Sequence, residues 1–237
     1  MKRAYSITAA IVIAAVGGAW VLNACARDSS EPLRLAAAES AAKALEKWHI
    51  GSNYTLLPSP QPTNAKPGRI EVNEVFWYGC GHCYALDPAL ESWKLNKPAF
   101  IDFVRIPVMW GPVHQQHAKL YYTLQALNRP DLHSKVFDAI HKEHNMLAAQ
   151  TDEEARALHL AFFKAQGISE QDFNAAYDSM TVATNLQRAQ EATYRYGVSS
   201  VPLMIVNGKY TTDVSMAGDA GKLVSIVDDL AASEKKR

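Results

Sequence analysis

Cys80 and Cys83, separated by Gly81 and His82, are the residues whose types and spacing carry chemistry in this sequence. Two cysteines at i and i+3 at the start of a helix lie close enough to form a disulfide. Their positions are not equivalent. Cys80 falls at the N-terminal end, where unpaired backbone N–H groups and the helix dipole favour negative charge. His82 adds a second donor or positive charge beside it. Such surroundings favour thiolate over thiol. Whatever stabilises the Cys80 thiolate stabilises the dithiol form, and so makes the disulfide the stronger oxidant. One pKa unit is worth about 1.4 kcal/mol, or roughly 30 mV for the two-electron couple. Other uses of the motif fit less well. A structural zinc site needs four ligands, and this CxxC has no second pair. Covalent haem attachment needs His directly after the second Cys, where Tyr84 stands. An inert structural disulfide remains as a third use, but it gives no reason for the strand-to-helix placement. No metal and no organic cofactor is expected.

The elements that position the pair can be read from periodicity. Residues 70–78, IEVNEVFWY, predict a strand. Alternation puts Ile70, Val72, Glu74, Phe76 and Tyr78 on one face and Glu71, Asn73, Val75 and Trp77 on the other. From Val75 onward both faces are apolar, as in a strand covered on both sides. Glu74 therefore stands among apolar neighbours. A helix is expected from the cysteine motif to about Lys97, kinked at Pro88, then a strand over 100–106. Residues 113–196 read as helical throughout. Leu120, Leu124 and Leu127 keep helical spacing, as do Val136, Phe137 and Ile140; Leu158, Ala161, Phe162 and Ala165; and Phe173, Tyr177 and Met180. Thr151-x-x-Glu154 is a capping-box signature and Ser169-x-x-Asp172 a variant of it. Gly167 and Gly197 suit helix C-termini. Residues 201–206 read as a strand, Asn207-Gly208 as a hairpin turn with a return strand over 209–212, and the chain past Asp219 as a final helix. The order is that of an α/β domain interrupted by an all-helical insertion.

The 237 residues carry 24 Lys+Arg against 24 Asp+Glu, so no basic footprint points to nucleic acid. Three cysteines cannot staple a scaffold, and the core must be held by burial. Lys2 and Arg3 precede an uncharged apolar run over 7–22, the layout of an export signal. The run is shorter than the roughly 20 residues of a spanning helix. Leu22-Asn23-Ala24-Cys25 resembles a bacterial lipobox, which makes Cys25 a candidate lipidation site. Membrane contact is then expected only through an N-terminal lipid or anchor, with the globular part in the periplasm. The division expected is residues 1–24 as export signal, 25–68 as spacer and lead-in, 69–112 with 197–232 as the α/β domain, and 113–196 as the helical insertion. Four prolines in 57–68 make that stretch extended, and the core is expected to start near Arg69.

Over roughly residues 50 to 232 the sequence resembles the DsbA-like thiol:disulfide interchange proteins of the bacterial periplasm, which have a thioredoxin fold. Glu74 to Tyr84, EVFWYGCGHCY, looks like the active-site strand and redox motif of that family. Val201-Pro202, an apolar strand and Asn207-Gly208-Lys209-Tyr210 look like its cis-proline loop and hairpin, and the helices between match its inserted domain. The resemblance implies that Cys80 is the exposed nucleophile, Cys83 its partner, and Gly81-His82 the dipeptide that tunes the potential. It implies that Val201 and Pro202, the latter cis, face the disulfide and border bound substrate. It implies that Glu74 is a buried acid that moves protons for Cys83. It further implies that reduced exported proteins are substrates and that a DsbB-type inner-membrane quinone reductase reoxidises the pair. Familiar members have Pro where this chain has Gly81, and CGHC is instead the motif context of eukaryotic protein disulfide isomerase; oxidising chemistry is still expected, and a less oxidising site would shift the balance toward isomerisation. An isomerase or reductase of the same fold, and a non-catalytic thioredoxin-fold binding module, are the rival readings. Trp77 is the aromatic best placed to border a peptide groove; Tyr78, Trp93 and Trp110 read by default as core. His114-x-x-His117 and His141-x-x-His144 read as polar helix faces or satisfied core histidines.

Overall fold

The computed structural model describes residues 46–235. The export signal, Cys25 and the end of the basic tail lie outside them. Five strands form one sheet in the order β1-β5-β4-β2-β3. The strands are β1 (Thr55–Leu56), β2 (Ile70–Phe76), β3 (Ile101–Pro107), β4 (Leu203–Val206) and β5 (Tyr210–Thr212). Helix α1 (Gly81–Asn96) crosses from β2 to β3, as a parallel pair requires, and continues through Pro88. Strand β4 runs antiparallel to β2, and the hairpin at Asn207-Gly208 returns it as β5. Both turn residues have φ > 0, the conformation that Asn-Gly hairpins require.

Between β3 and β4 the chain is helical: α2 (Pro112–Ala126), α3 (His133–His141), α4 (Asp152–Ala165), α5 (Glu170–Tyr177) and α6 (Met180–Arg195). After the hairpin come a short α7 (Val214–Ala217) and α8 (Ala220–Glu234). Thr151 and Glu154 form the complete capping box of α4, and Ser169, Ser179 and Asp219 cap α5, α6 and α8. Gly167 and Gly197 follow α4 and α6 in the left-handed region.

Three packed layers result. Ile70, Val72 and Ile101 meet α1 and α8 on one face of the sheet, with Met204 and Val206 from β4. Val75, Ile106 and Ile205 meet α6 on the other. Phe76, Tyr78 and Cys83 run out of the sheet into the helical block, against Leu120, Leu124 and Phe137. The alternation in β2 is the one the sequence pattern predicts.

Four expectations need correction. The core does not start at Arg69: Trp48 and Tyr54 are buried in the main cluster, and β1 adds the edge strand beside β5. This segment holds too few residues per element for periodicity to register. Strand β2 is covered on both faces along its whole length, not only from Val75. Glu71 is buried there with both oxygens paired: Asn73 Nδ2 donates to Glu71 Oε1 (2.9 Å), and the Asn64 backbone N–H donates to Glu71 Oε2 (2.9 Å). In α4 the buried face is Ala155, His159 and Phe163, while Ala161 and Ala165 are exposed. His159 is admitted to the core because its Nε2–H donates to the Leu147 carbonyl (2.8 Å). Met180 belongs to the start of α6, not to the Phe173–Tyr177 face, and is exposed.

Candidate active site

The sheet, α1 and the helical block meet at Cys80. Trp77 and Cys80 close a tight turn at the end of β2, with Cys80 N–H on the Trp77 carbonyl (3.0 Å). The Trp77 ring folds back over Gly79, and a Cβ at that position would collide with it. Only glycine leaves room for the ring, so Gly79 belongs to the site although the motif reading passed over it.

Cys80 is the N-cap of α1 and its sulfur accepts the Cys83 backbone N–H (3.3 Å). The side is half-open to solvent, whereas Cys83 is fully buried. Both are free thiols in this structure. The Cys83 thiol, donating to the Cys80 sulfur, is the largest influence lowering the Cys80 pKa. Burial opposes it, the N–H groups of Cys83 and His82 assist, and the His82 charge adds a smaller part; together they bring Cys80 to about 6. The helix start and His82 were legible in the sequence; the stronger contribution of Cys83 was not. Burial pushes the Cys83 thiol far up, and its bond to Cys80 and the nearby Glu74 add to that. His82 itself is exposed.

The loop before β4 faces the pair. The Cys80 thiol reaches the Val201 carbonyl at 3.5 Å, and the Val201–Pro202 bond is cis. His82, Leu86, Val201, Pro202 and Val214 line a cleft of about 550 Å³ beside the sulfur. Trp77 lies on the opposite flank. It is half-buried, its ring 4.4 Å from that of His114, and it packs with Met109 and Val198. Trp110 beside it is about half exposed, unlike buried Tyr78 and Trp93.

Beneath the pair lies a buried ionic cluster. Glu74 is 1% exposed. Burial raises its pKa against the pull of Arg105, whose Nε donates to Glu74 Oε2 (2.6 Å). The other oxygen, Oε1, makes no protein hydrogen bond. Arg105 stands directly opposite Glu74 in the β2–β3 register. Its remaining nitrogens reach Glu91 Oε1 (2.6 Å) and Asp87 Oδ1 (3.1 Å). One guanidinium thus holds three carboxylates, a use for which its planar fork of donors suits it. Asp87 also accepts from Ser134 Oγ (2.6 Å), and His133 Nε2 sits 3.4 Å from it without hydrogen-bond alignment. Burial and the Arg105 charge hold His133 down to about 4, and its Nδ1 shares a hydrogen bond with Tyr78 Oη (2.8 Å). Sequence reasoning found Glu74 and missed Arg105, Asp87 and His133. The one available signal was an arginine inside an otherwise apolar strand.

Chemically, this places one exposed thiol that ionises easily over one buried thiol that does not, with a buried acid near the second. Among the described residues no group of three or more His, Cys, Asp or Glu is arranged to hold a metal ion.

Comparison with known proteins agrees with this geometry. A family model for the DSBA-like thioredoxin domain matches residues 101–228. That span begins after Cys83 and so is independent of the cysteine motif. The thiol:disulfide interchange protein DsbA of Pseudomonas aeruginosa is 37% identical over 191 residues, covering 80% of this chain and 87% of that protein. The protein of the same name from Azotobacter vinelandii is 38% identical over 187 residues, covering 78% and 84%. The crystal structure of Pseudomonas aeruginosa DsbA superposes with a TM-score of 0.71 at 36% identity, over 80% of this chain and 95% of that one. With the scaffold, the helical insertion and the sequence identity in agreement, the chain belongs to the DsbA-like thioredoxin-fold family of thiol:disulfide oxidoreductases.

Proposed function

We propose that this oxidoreductase works as a dithiol oxidase, giving its Cys80–Cys83 disulfide to exported proteins. The observation that carries the direction is the inequality of the two thiols: Cys80 is half-open beside the Val201 carbonyl, and Cys83 is sealed behind it. A substrate thiolate can reach only the Cys80 sulfur. Its attack forms the mixed disulfide and breaks the Cys80–Cys83 bond, leaving Cys83 as the departing thiolate. A buried thiolate is costly, so Cys83 takes a proton at once, and Glu74 is the buried acid placed to supply it. A second substrate thiolate then attacks the substrate sulfur of the mixed disulfide. Cys80 leaves as a thiolate, which its low pKa makes easy. Two electrons pass from the substrate to the protein, and the substrate leaves oxidised.

In this reading Val201, Pro202 and Trp77 border the bound substrate chain, and His82 and Gly81 tune the potential. A DsbB-type quinone reductase in the inner membrane returns the pair to the disulfide. The periplasm is the compartment in which such a disulfide persists, with Cys25 as the lipid attachment site. Residues 69–112 with 197–232, completed by the edge strand β1 and the buried Trp48 and Tyr54, form the redox half and 113–196 the helical insertion. Among the described residues no helix is long and apolar enough to cross a membrane.

The test is oxidation of a two-cysteine peptide by the purified disulfide form, with its equilibrium against glutathione. Cys80→Ala abolishes the oxidation, and Cys83→Ala accumulates mixed disulfides. Full activity in Cys80→Ala overturns the assignment. The isomerase or reductase reading rests on the Gly81-His82 dipeptide between the cysteines; Gly81 is exposed with open space where a side chain would stand, so Gly81→Pro can be made without a clash to test how far that residue sets the potential. A reduction potential near the roughly −270 mV of thioredoxin would select that reading.

A further inference from the structure

Helix α3 touches the redox motif through every polar side chain on its inner face. His133 bonds the Tyr78 hydroxyl, Ser134 bonds Asp87, and the Tyr84 hydroxyl donates to Asp138 Oδ1 (3.0 Å). His141, one turn further on, does something different. Its Nε2 lies 2.8 Å from the Tyr78 carbonyl, a main-chain atom two residues before Cys80. Its ring also stacks on Tyr84, the residue after Cys83, with centroids 4.6 Å apart and planes within 5°. One imidazole therefore grips the chain on both sides of the cysteine pair.

We infer that His141 is a positioning residue for the redox pair, fixing through its bond to the Tyr78 carbonyl the turn that places the Cys80 sulfur over the start of α1. The inference rests on the proposed thiol chemistry and adds a residue to it. A carbonyl only accepts, so His141 must carry its proton on Nε2. The Cys80 sulfur is stabilised by the Cys83 side chain first and then by a 3.3 Å contact with the Cys83 N–H, and both weaken quickly as the geometry of the turn slackens. Freeing the Tyr78 carbonyl loosens the turn on one side of that contact. The thiolate then loses stabilisation, and the disulfide becomes a weaker oxidant.

The experiment compares His141→Ala, His141→Gln and His141→Phe with the wild type. The readouts are Cys80 ionisation by thiolate absorbance and the glutathione equilibrium. A Gln side-chain N–H can reach the carbonyl; Phe keeps the ring stack and loses the donor. The expected result is a rise of about half a unit to one unit in the Cys80 pKa for Ala and Phe, with a roughly three- to tenfold shift in the equilibrium toward oxidised protein. Gln stays near wild type. A purely structural loss would lower the stability of both redox forms without this pattern. Wild-type values in the Ala or Phe variant, or a shift in Gln as large as in Ala, overturn the inference. Should the variants fail to fold, nitrogen NMR of the wild-type imidazole decides: a His141 ring protonated on Nδ1 alone is incompatible with the bond. Failure of the proposed oxidase function shows separately, as wild-type protein that does not oxidise the peptide.

Discussion

At the scale of residues, the site works by making two chemically identical thiols unequal. Cys80 is brought to about 6 by the Cys83 thiol first, with burial opposing and backbone N–H groups assisting. Cys83 stays protonated across the accessible range, because burial raises it. This fixes how many protons accompany the two electrons. Below pH 6 the dithiol takes up two; above it only Cys83 does. Each proton contributes about 30 mV per pH unit to a two-electron couple. The reduction potential should therefore fall by about 60 mV per pH unit below pH 6 and by about 30 mV per unit above it. Redox titration against glutathione from pH 5 to 8 checks this. A single slope of about 60 mV throughout would mean that Cys80 ionises as an ordinary thiol. The ionic cluster below acts through Glu74. Three carboxylates share one buried guanidinium, and with His133 neutral the cluster has an excess of negative charge. Burial raises Glu74, the member nearest Cys83. In the proposed mechanism this is the acid that protonates the thiolate Cys83 becomes.

At the scale of elements, helices differ in how closely they touch this chemistry. Helix α3 reaches Tyr78, Tyr84 and Asp87 directly, whereas α4 packs on α2 and α5 and meets none of the redox residues. The α4 capping box should accordingly matter for stability alone. Thr151 Oγ1 accepts the Glu154 N–H (3.2 Å), and Glu154 Oε2 accepts the Thr151 N–H (3.3 Å). Thr151→Ala should cost about 1 kcal/mol in urea unfolding and leave the glutathione equilibrium where it was. A shift in that equilibrium would show that α4 is coupled to the site after all. The cap was legible in the sequence because it is a local signal spanning four residues. So were the Asn207-Gly208 hairpin, the alternation of β2 and the strand-to-helix placement of the cysteines. What escaped the reading was decided by distant partners. Arg105 meets Asp87 and Glu91 across a helix, and His133 meets Tyr78 from 55 residues away. The α4 face shifted because a histidine, polar by type, found a carbonyl inside the core. No periodic pattern contains that information.

At the scale of the whole molecule, the same buried histidines govern how the fold responds to acid. His117 donates Nε2–H to the Met146 carbonyl (2.7 Å), His159 to the Leu147 carbonyl (2.8 Å), and His133 shares a hydrogen bond with the Tyr78 hydroxyl. Two of the three thus pin the irregular segment after α3 against α2 and α4, with Gln116 holding Ala149 beside them. Desolvation lowers all three to about 4. A histidine in the unfolded chain titrates near 6.5. Between these values the unfolded chain binds protons that the folded protein refuses, so stability is complete above pH 6.5 and declines as pH falls toward 4. Glu74 works the other way: its folded pKa is raised, so the folded state holds a proton there that the unfolded chain releases, and acid favours folding through this group. Asp228, also raised by burial, acts with Glu74, while His114 and the paired carboxylates Asp87, Glu91 and Glu234, all lowered, act with the three histidines, so the net effect is a decline as pH falls, on the order of 1 kcal/mol per pH unit for each buried histidine near pH 5. Urea unfolding of the disulfide form at pH 7, 6, 5 and 4.5 measures it without interference from thiol ionisation. His159→Gln, which keeps an N–H donor and removes one titrating group, should flatten the profile by about 1 kcal/mol per unit. An unfolding free energy that stays level from pH 7 to 4.5 would mean that these imidazoles accept protons in place, and that the segment after α3 is not held by neutral histidines.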